Sequence, residues 1–178
     1  MTAIRSIETE RIVMRPMQEA DFEPLWAIWS EEAVRRYLIS LPETRADFRG
    51  MFDYMLEMAS RLGMWTLVEK GVGEVFGRCG FYDFGAEQIP EVAFLLSERY
   101  WGRGLGTEAA QAALGCGFQE RGWARIVALV RPDNLRSLSV IKKLGMTPAG
   151  TIDLKGWKAE IHEILRAKWT AAAAHPRE

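Results

Sequence analysis

Cysteine and histidine are scarce in this chain, two of each in 178 residues. Cys79 and Cys116 form no Cys-x-x-Cys pair, and two histidines make a thin inventory of metal ligands. Long apolar runs are missing too. None approaches the ~18 residues of a membrane span, and Met1 to Glu10 lacks the apolar core of a secretion signal. Charge of one sign is not in excess: 23 Lys and Arg stand against 24 Asp and Glu, a formal net charge of -1. That excludes a generally basic nucleic-acid binder. No repeat occurs, and low complexity is confined to Ala171–Ala174, before a polar end (His175-Pro176-Arg177-Glu178) expected to fray. What is present is ordinary globular material, 48% apolar and 26% charged. A chain of this length buries about 70% of its unfolded surface without disulfide or metal. The expectation is one cytoplasmic, metal-free domain over residues 1–170 with a frayed tail at 171–178, and no nucleic-acid or membrane partner.

The balanced total hides an asymmetry. Residues 1–89 hold ten basic and fifteen acidic side chains, residues 90–178 thirteen and nine. The split is either chance or a second half that receives an anion beside a first half that tolerates a cation. Periodicity orders the elements. Arg11–Arg15 reads as a strand stopped by Pro16, while Glu19–Arg36 and Thr44–Leu62 read as amphipathic helices, the second stopped near Gly63. Trp65–Glu69, Val75–Tyr82 and Val92–Leu96 read as strands, Thr107–Arg121 as a helix, and Ile126–Val130 as a buried strand. Leu135–Leu144 is a short helix before Gly145, and two late strands lie around Met146–Leu154 and Glu160–Trp169. The order β-αα-βββ-α-β-α-ββ predicts an α/β protein with a mixed sheet and helices on both faces.

Between the third of the clustered strands and the helix lies Trp101-Gly102-Arg103-Gly104-Leu105-Gly106. At a helix start the first amides have no intrahelical partner and sit at the positive end of the dipole. Glycine lets an anion approach them, and Arg103 offers a charged donor, so residues 102–107 read as a phosphate cradle rather than a bare turn. No Gly-Lys-Ser or Gly-Lys-Thr follows, which excludes a Walker loop. Gly104-Leu105-Gly106-Thr107-Glu108-Ala109 matches GxGxxA, but Ser97–Trp101 separate it from the strand, and no acidic residue ends a second parallel strand.

The segment from Phe94-Leu95-Leu96 through Tyr100-Trp101-Gly102-Arg103-Gly104-Leu105-Gly106-Thr107-Glu108-Ala109 resembles the acetyl-coenzyme A motif of the GNAT superfamily of N-acetyltransferases. Asn134-Leu135-Arg136-Ser137 and Lys143-Leu144-Gly145-Met146 resemble that superfamily's Asn-x-x-Ser helix and the turn after it. The Tyr-Trp-Gly opening, the Thr-Glu-Ala close and Glu8–Pro16 are similar to its Rim-type branch, which acetylates ribosomal-protein N-termini. The resemblance spans nearly the whole chain. It implies a mostly antiparallel mixed sheet of about seven strands, acetyl-CoA as co-substrate, an amine acceptor, and a monomer or homodimer.

Site residues follow from the same resemblance. Amides of residues 102–107, with Arg103 and the adjoining Trp101, would hold the pyrophosphate, and pantetheine would lie along Phe94-Leu95-Leu96 as an added strand. Glu91 stands near a position where some members place a catalytic Glu, and would deprotonate the amine directly or through a water. Its other reading is an edge carboxylate or an Arg partner; Asp83 and Glu87 are weaker bases, and His162 reads as structural. Ser137 would donate to the leaving thiolate, with Tyr82 and Tyr100 in reserve. Asn134 would cap its helix and also contact the pantetheine arm or the acceptor. Trp29, Arg35, Tyr37 and Trp157 would flank an acceptor that is a protein N-terminus, a polyamine or an aminoglycoside. Ile141 departs from the family, standing where many members carry a proton-donating Tyr. That departure keeps a second reading open, a non-catalytic acyl-CoA-binding or regulatory module.

Overall fold

The computed structural model describes residues 4–38, 41–154 and 156–169; the tail expected at 171–178 lies outside them. A short strand β1 (Ile7–Glu8) pairs with β2 (Ile12–Pro16), and helices α1 (Phe22–Trp29), α2 (Glu32–Arg35) and α3 (Arg45–Arg61) follow. Next come β3 (Met64–Glu69), β4 (Val75–Phe84) and β5 (Ile89–Leu96), then α4 (Leu105–Gly115) and β6 (Arg125–Val130). Helix α5 (Leu135–Lys143) and strands β7 (Thr147–Leu154) and β8 (Trp157–Leu165) complete the order. Among the described residues the strands form one eight-stranded sheet in the order β1-β2-β3-β4-β5-β6-β8-β7. Only β5 and β6 run parallel; the other pairs are antiparallel.

The mixed, helix-flanked sheet is the expected one, with local corrections. The strand number rises from about seven to eight because β1 is only two residues long, too short to show alternation. The single helix expected over Glu19–Arg36 is divided into a 3-10 turn at Glu19–Asp21, α1 and α2. At the break the Ser30 hydroxyl donates to the Trp26 carbonyl at 2.8 Å, and Glu31 turns extended. Helix α4 starts two residues early, because Gly104 adopts a left-handed conformation as its N-cap. It widens into a π-turn at Cys116–Glu120, where a Cβ on Gly117 would lie 2.8 Å from Ile126 and Trp123. Strand β8 begins at Trp157 rather than near Glu160 and ends at Leu165, with residues 166–169 helical.

Alternation along β3 sends Trp65 and Leu67 to one face and Met64 and Thr66 to the other. The first face packs on α4 through Leu105, Ala109, Ala113 and Leu114; the second packs on α1 and α3 through Leu25, Trp29, Phe48, Phe52 and Met55. On that second face Asp21 is fully buried, accepting from Arg15 at 2.8 Å and from the Thr66 hydroxyl at 2.7 Å. Burial alone would raise its carboxyl, but bonds from Arg15, Thr66 and the Gln18 amide outweigh that and hold it below the usual range. Breaking such a pair costs about 3 kcal/mol, so it anchors the entry to α1 against the sheet.

The parallel pair is where the sheet opens. Strand β5 is paired with β4 from Ile89 to Leu96, yet meets β6 in register only at Glu91 and Val127. Beyond that point the edge of β5 facing β6 has no strand partner among the described residues, and the two strands part. No described helix is long and apolar enough to cross a membrane.

Candidate active site

Where β5 and β6 part lies a cavity of about 620 Å³. One end is made of main chain. Gly102 and Gly104 have φ of +73° and +78°, a conformation that disfavours any side chain. No side chain caps α4, so the first-turn amides of Leu105, Gly106 and Thr107 have no intrahelical acceptor, and all three residues line the cavity. A Cβ on Gly106 would sit 3.8 Å from Leu96, Phe94 and Val140, in ordinary contact, and would begin to fill this end.

The loop is held from behind. The Glu108 carboxylate accepts from the Thr9 hydroxyl at 2.6 Å, the Arg11 amide at 2.9 Å and Arg11 Nε at 2.7 Å. Arg11 Nη1 donates to the Arg103 carbonyl at 2.8 Å. Partial burial would raise the Glu108 carboxyl, but these bonds hold it below its ordinary value. Two of the sequence segments that carry the family resemblance thus meet in one network.

The other end is made of side chains. Arg78, Gly80 and Tyr82 of β4 and Glu91, Ala93 and Leu95 of β5 alternate onto the face covered by α1 and α3, and Glu91 stands opposite Tyr82. Burial pushes the Glu91 carboxyl up to about 7, with the Arg78 charge pulling it partly back. Tyr82 stacks on Tyr54 of α3 with ring centres 5.8 Å apart, and burial raises its phenol. Arg78 lies 5.2 Å from the ring centres of both Trp29 and Tyr82. A carboxyl poised near neutrality beside a cavity suits general-base work.

The cavity brings together Glu91, Asn134 and Ser137, the strand residues Phe94, Leu95 and Leu96, and Trp101, Gly102, Gly104, Leu105, Gly106 and Thr107, with Trp29 and Tyr37 at the far end. Asn134 Oδ1 accepts from the Ser137 amide at 3.1 Å, the capping bond of α5. Three expected residues lie elsewhere. Arg35 is not on the cavity wall; its guanidinium donates to the Pro42 carbonyl at 3.0 Å. Arg103 turns away from the cavity, its guanidinium donating to Glu69 at 2.6 Å and lying 4.9 Å over the Tyr100 ring. Trp157 is 40% exposed and covers Arg131, whose guanidinium is 3.9 Å from its ring centre. Among the reserves, the Tyr100 hydroxyl is engaged with Glu69 at 2.9 Å and Glu74 at 3.2 Å, and Asp83 pairs with Arg61 at 2.6 Å. His162 pairs with Glu160 on β8, and Ile141 packs in the core at 1% exposure.

Sequence reasoning missed Arg78, Tyr54 and the cationic side chains Arg131, Arg136 and Lys143, all on the cavity wall. Arg136 lies 4.9 Å over the Trp101 ring, whose indole donates to the Leu96 carbonyl at 2.8 Å. Arg136 and Lys143 stand inside the segments that resemble the family. Arg78 had its own signal, a lone charge in the strand run Val75–Tyr82.

Comparison with known proteins gives a match to the family model described as "Acetyltransferase (GNAT) domain" over residues 11–147. A curated relative, YkkB of Bacillus subtilis, is 30% identical over 156 residues, covering 85% of this chain and 91% of its own. A solved GNAT-family acetyltransferase from Bacillus anthracis superposes with a TM-score of 0.78 at 26% identity, covering 91% of this chain and 99% of the other. At greater distance, spermidine N(1)-acetyltransferase of Escherichia coli is 22% identical over 143 residues, 79% of this chain and 75% of its own. The ribosomal-protein-S5-alanine acetyltransferase of Vibrio fischeri shares the fold, with a TM-score of 0.76 at 16% identity over 92% of this chain and 98% of its own.

Proposed function

The chain belongs to the GNAT acetyltransferase family, and we propose from that premise that it moves an acetyl group from acetyl-CoA directly to a primary amine bound in the same cavity. The observation that carries this reading is continuity: one cavity joins the uncapped amides at the start of α4 to the Glu91 carboxyl, along the unpaired edge of β5. Bound acetyl-CoA would supply the acetyl group as a thioester. Amides of residues 102 and 104–107 take its pyrophosphate, and main-chain groups of Phe94–Leu96 take the amides of its arm. The Asn134 carboxamide caps α5 and keeps its NH₂ for the same arm.

Glu91, ionised, accepts the proton that the ammonium must lose before its nitrogen can attack. An amide near Leu95 or Leu96 polarises the thioester carbonyl. As the N–C bond forms and the C–S bond breaks, the Ser137 hydroxyl donates a hydrogen bond to the departing sulfur, which then takes up a proton. Residues 1–170 act as one acetyltransferase domain. The Tyr100-Trp101-Gly102 opening supports placing it with the Rim-type branch. The acceptor is either a protein N-terminus or a small amine, the first suggested by the Vibrio neighbour's acceptor and the second by spermidine.

A second reading, an acyl-CoA-binding module without turnover, draws on Ile141, which brings no hydroxyl to the cavity. Titration calorimetry with acetyl-CoA, followed by thiol release over N-terminal peptides, polyamines, aminoglycosides and amino acids, separates the two. Binding with turnover on at least one amine supports the enzyme. Binding without turnover on any supports the module, and no binding defeats both.

A further inference from the structure

Arg78 is the least expected group on the cavity wall. It is 7% exposed, yet its Nε and Nη1 atoms have no hydrogen-bond partner among the described residues. No carboxylate among them forms an ion pair with it either. Glu91, whose charge it feels, stands four residues away in register, since Arg78 pairs with Leu95 and Tyr82 with Glu91. The rings of Trp29 and Tyr82 lie against the guanidinium. They stabilise its charge but accept no N–H donors in the plane. A buried cation in this condition is a costly feature unless an anion completes it.

We propose that Arg78 is the receptor for a carboxylate on the acceptor, so that the amine substrate is a small molecule of the amino-acid class. This rests on the acetyltransferase reading above. The guanidinium fork matches a planar carboxylate in two-point geometry. The acceptor's amino group then lies toward Glu91, so the pair of protein groups mirrors a zwitterion, base to ammonium and cation to carboxylate. A polyamine would bring further positive charge beside a buried cation, and a peptide carbonyl would leave that cation without a counter-charge.

The test is steady-state thiol release with saturating acetyl-CoA over the twenty common amino acids, their α-amides, dipeptides and spermidine. At least one free amino acid should be acetylated, with kcat/KM roughly 30-fold or more above that of its own amide, about 2 kcal/mol, and the gap should lie mainly in KM. Arg78→Met, which keeps bulk between Trp29 and Tyr82, should close the gap to within about threefold, as expected when the charged contact is lost. Its acetyl-CoA affinity and circular dichroism should stay unchanged. Arg78→Lys, which restores the charge without the fork, should recover part of the gap. Dipeptides used as well as the free acid would widen the substrate to C-terminal carboxylates and still support the role of Arg78. Equal use of amides or spermidine, a gap that survives in a folded Arg78→Met, or acetyl-CoA binding with no turnover anywhere in the panel would overturn the proposal. Absence of acetyl-CoA binding would instead defeat the acetyltransferase reading beneath it.

Discussion

The two ends of the cavity are built on opposite terms. At the α4 end the groups facing the cavity are main-chain amides, laid open because Gly102, Gly104 and Gly106 have no side chains and fastened from behind by Glu108 and Arg11. At the β4–β5 end they are side chains on alternate strand positions, enclosed by Trp29 and Tyr54. A backbone site has a fixed charge pattern and is indifferent to pH. A side-chain site is tuned by burial, and one substitution resets it. Donor affinity should therefore be blocked by bulk and little moved by charge, while acceptor chemistry should follow single ionisations.

The largest effect should come from adding bulk at the backbone end. Gly106→Val should weaken acetyl-CoA binding by roughly 100-fold or more, about 3 kcal/mol. A Cβ there meets only ordinary contacts, so the melting temperature should hold; calorimetry and thermal melts read the two outcomes. Gly104→Val is less clean, because the φ of +78° strains any side chain.

Next comes Glu91→Gln, expected to lower kcat by about 100-fold, the usual scale for a general base. With the wild-type carboxyl pushed up to about 7, the rate should rise with pH to a plateau above that value, and this limb should vanish in the variant. Stability should move the other way. A carboxyl raised in the fold stabilises it fully below its unfolded value near 4.5 and loses that contribution as the pH passes about 7. At pH 8 the variant should therefore be more stable than the wild type, by about 2 kcal/mol after allowing for partial exposure.

Smaller still, Ser137→Ala should cut turnover by roughly tenfold, the scale of one hydrogen bond to a charged sulfur, and leave acetyl-CoA affinity nearly unchanged. The smallest effect belongs to Arg103→Ala. Its guanidinium faces Glu69 rather than the cavity, so acetyl-CoA affinity should stay within about threefold of wild type in a direct titration, consistent with the low worth of exposed pairs. A large loss there would break the contrast between the two ends.

The same contrast governs what could be read from the residues alone. A backbone site writes itself as glycines in a short contiguous stretch before a helix, so the loop and α4 were legible, as were the long strands and the start of α3 at Thr44, whose hydroxyl accepts from the Asp47 amide. The side-chain end is gathered from α1, α3, β4 and β5, and no local pattern announces that Arg78, Tyr54 and Glu91 will meet. The pairing of the Arg103 side chain was not legible, because its partner, Glu69, lies 34 residues upstream on a strand that only the folded sheet brings near. At the division of α1 from α2 the Ser30 hydroxyl shares the Trp26 carbonyl with the helix amide, a local bond that is weak as a sequence signal.

Main-chain nitrogens at the start of α4 are expected to receive the diphosphate of the donor. Amide ¹H–¹⁵N resonances of the full chain, followed while coenzyme A is added, test it most directly. Saturable shifts at Gly102 and at Leu105, Gly106 and Thr107, with the Arg103 side-chain Nε signal still, are the predicted result. Binding that leaves those amides unmoved would place the diphosphate elsewhere on the molecule.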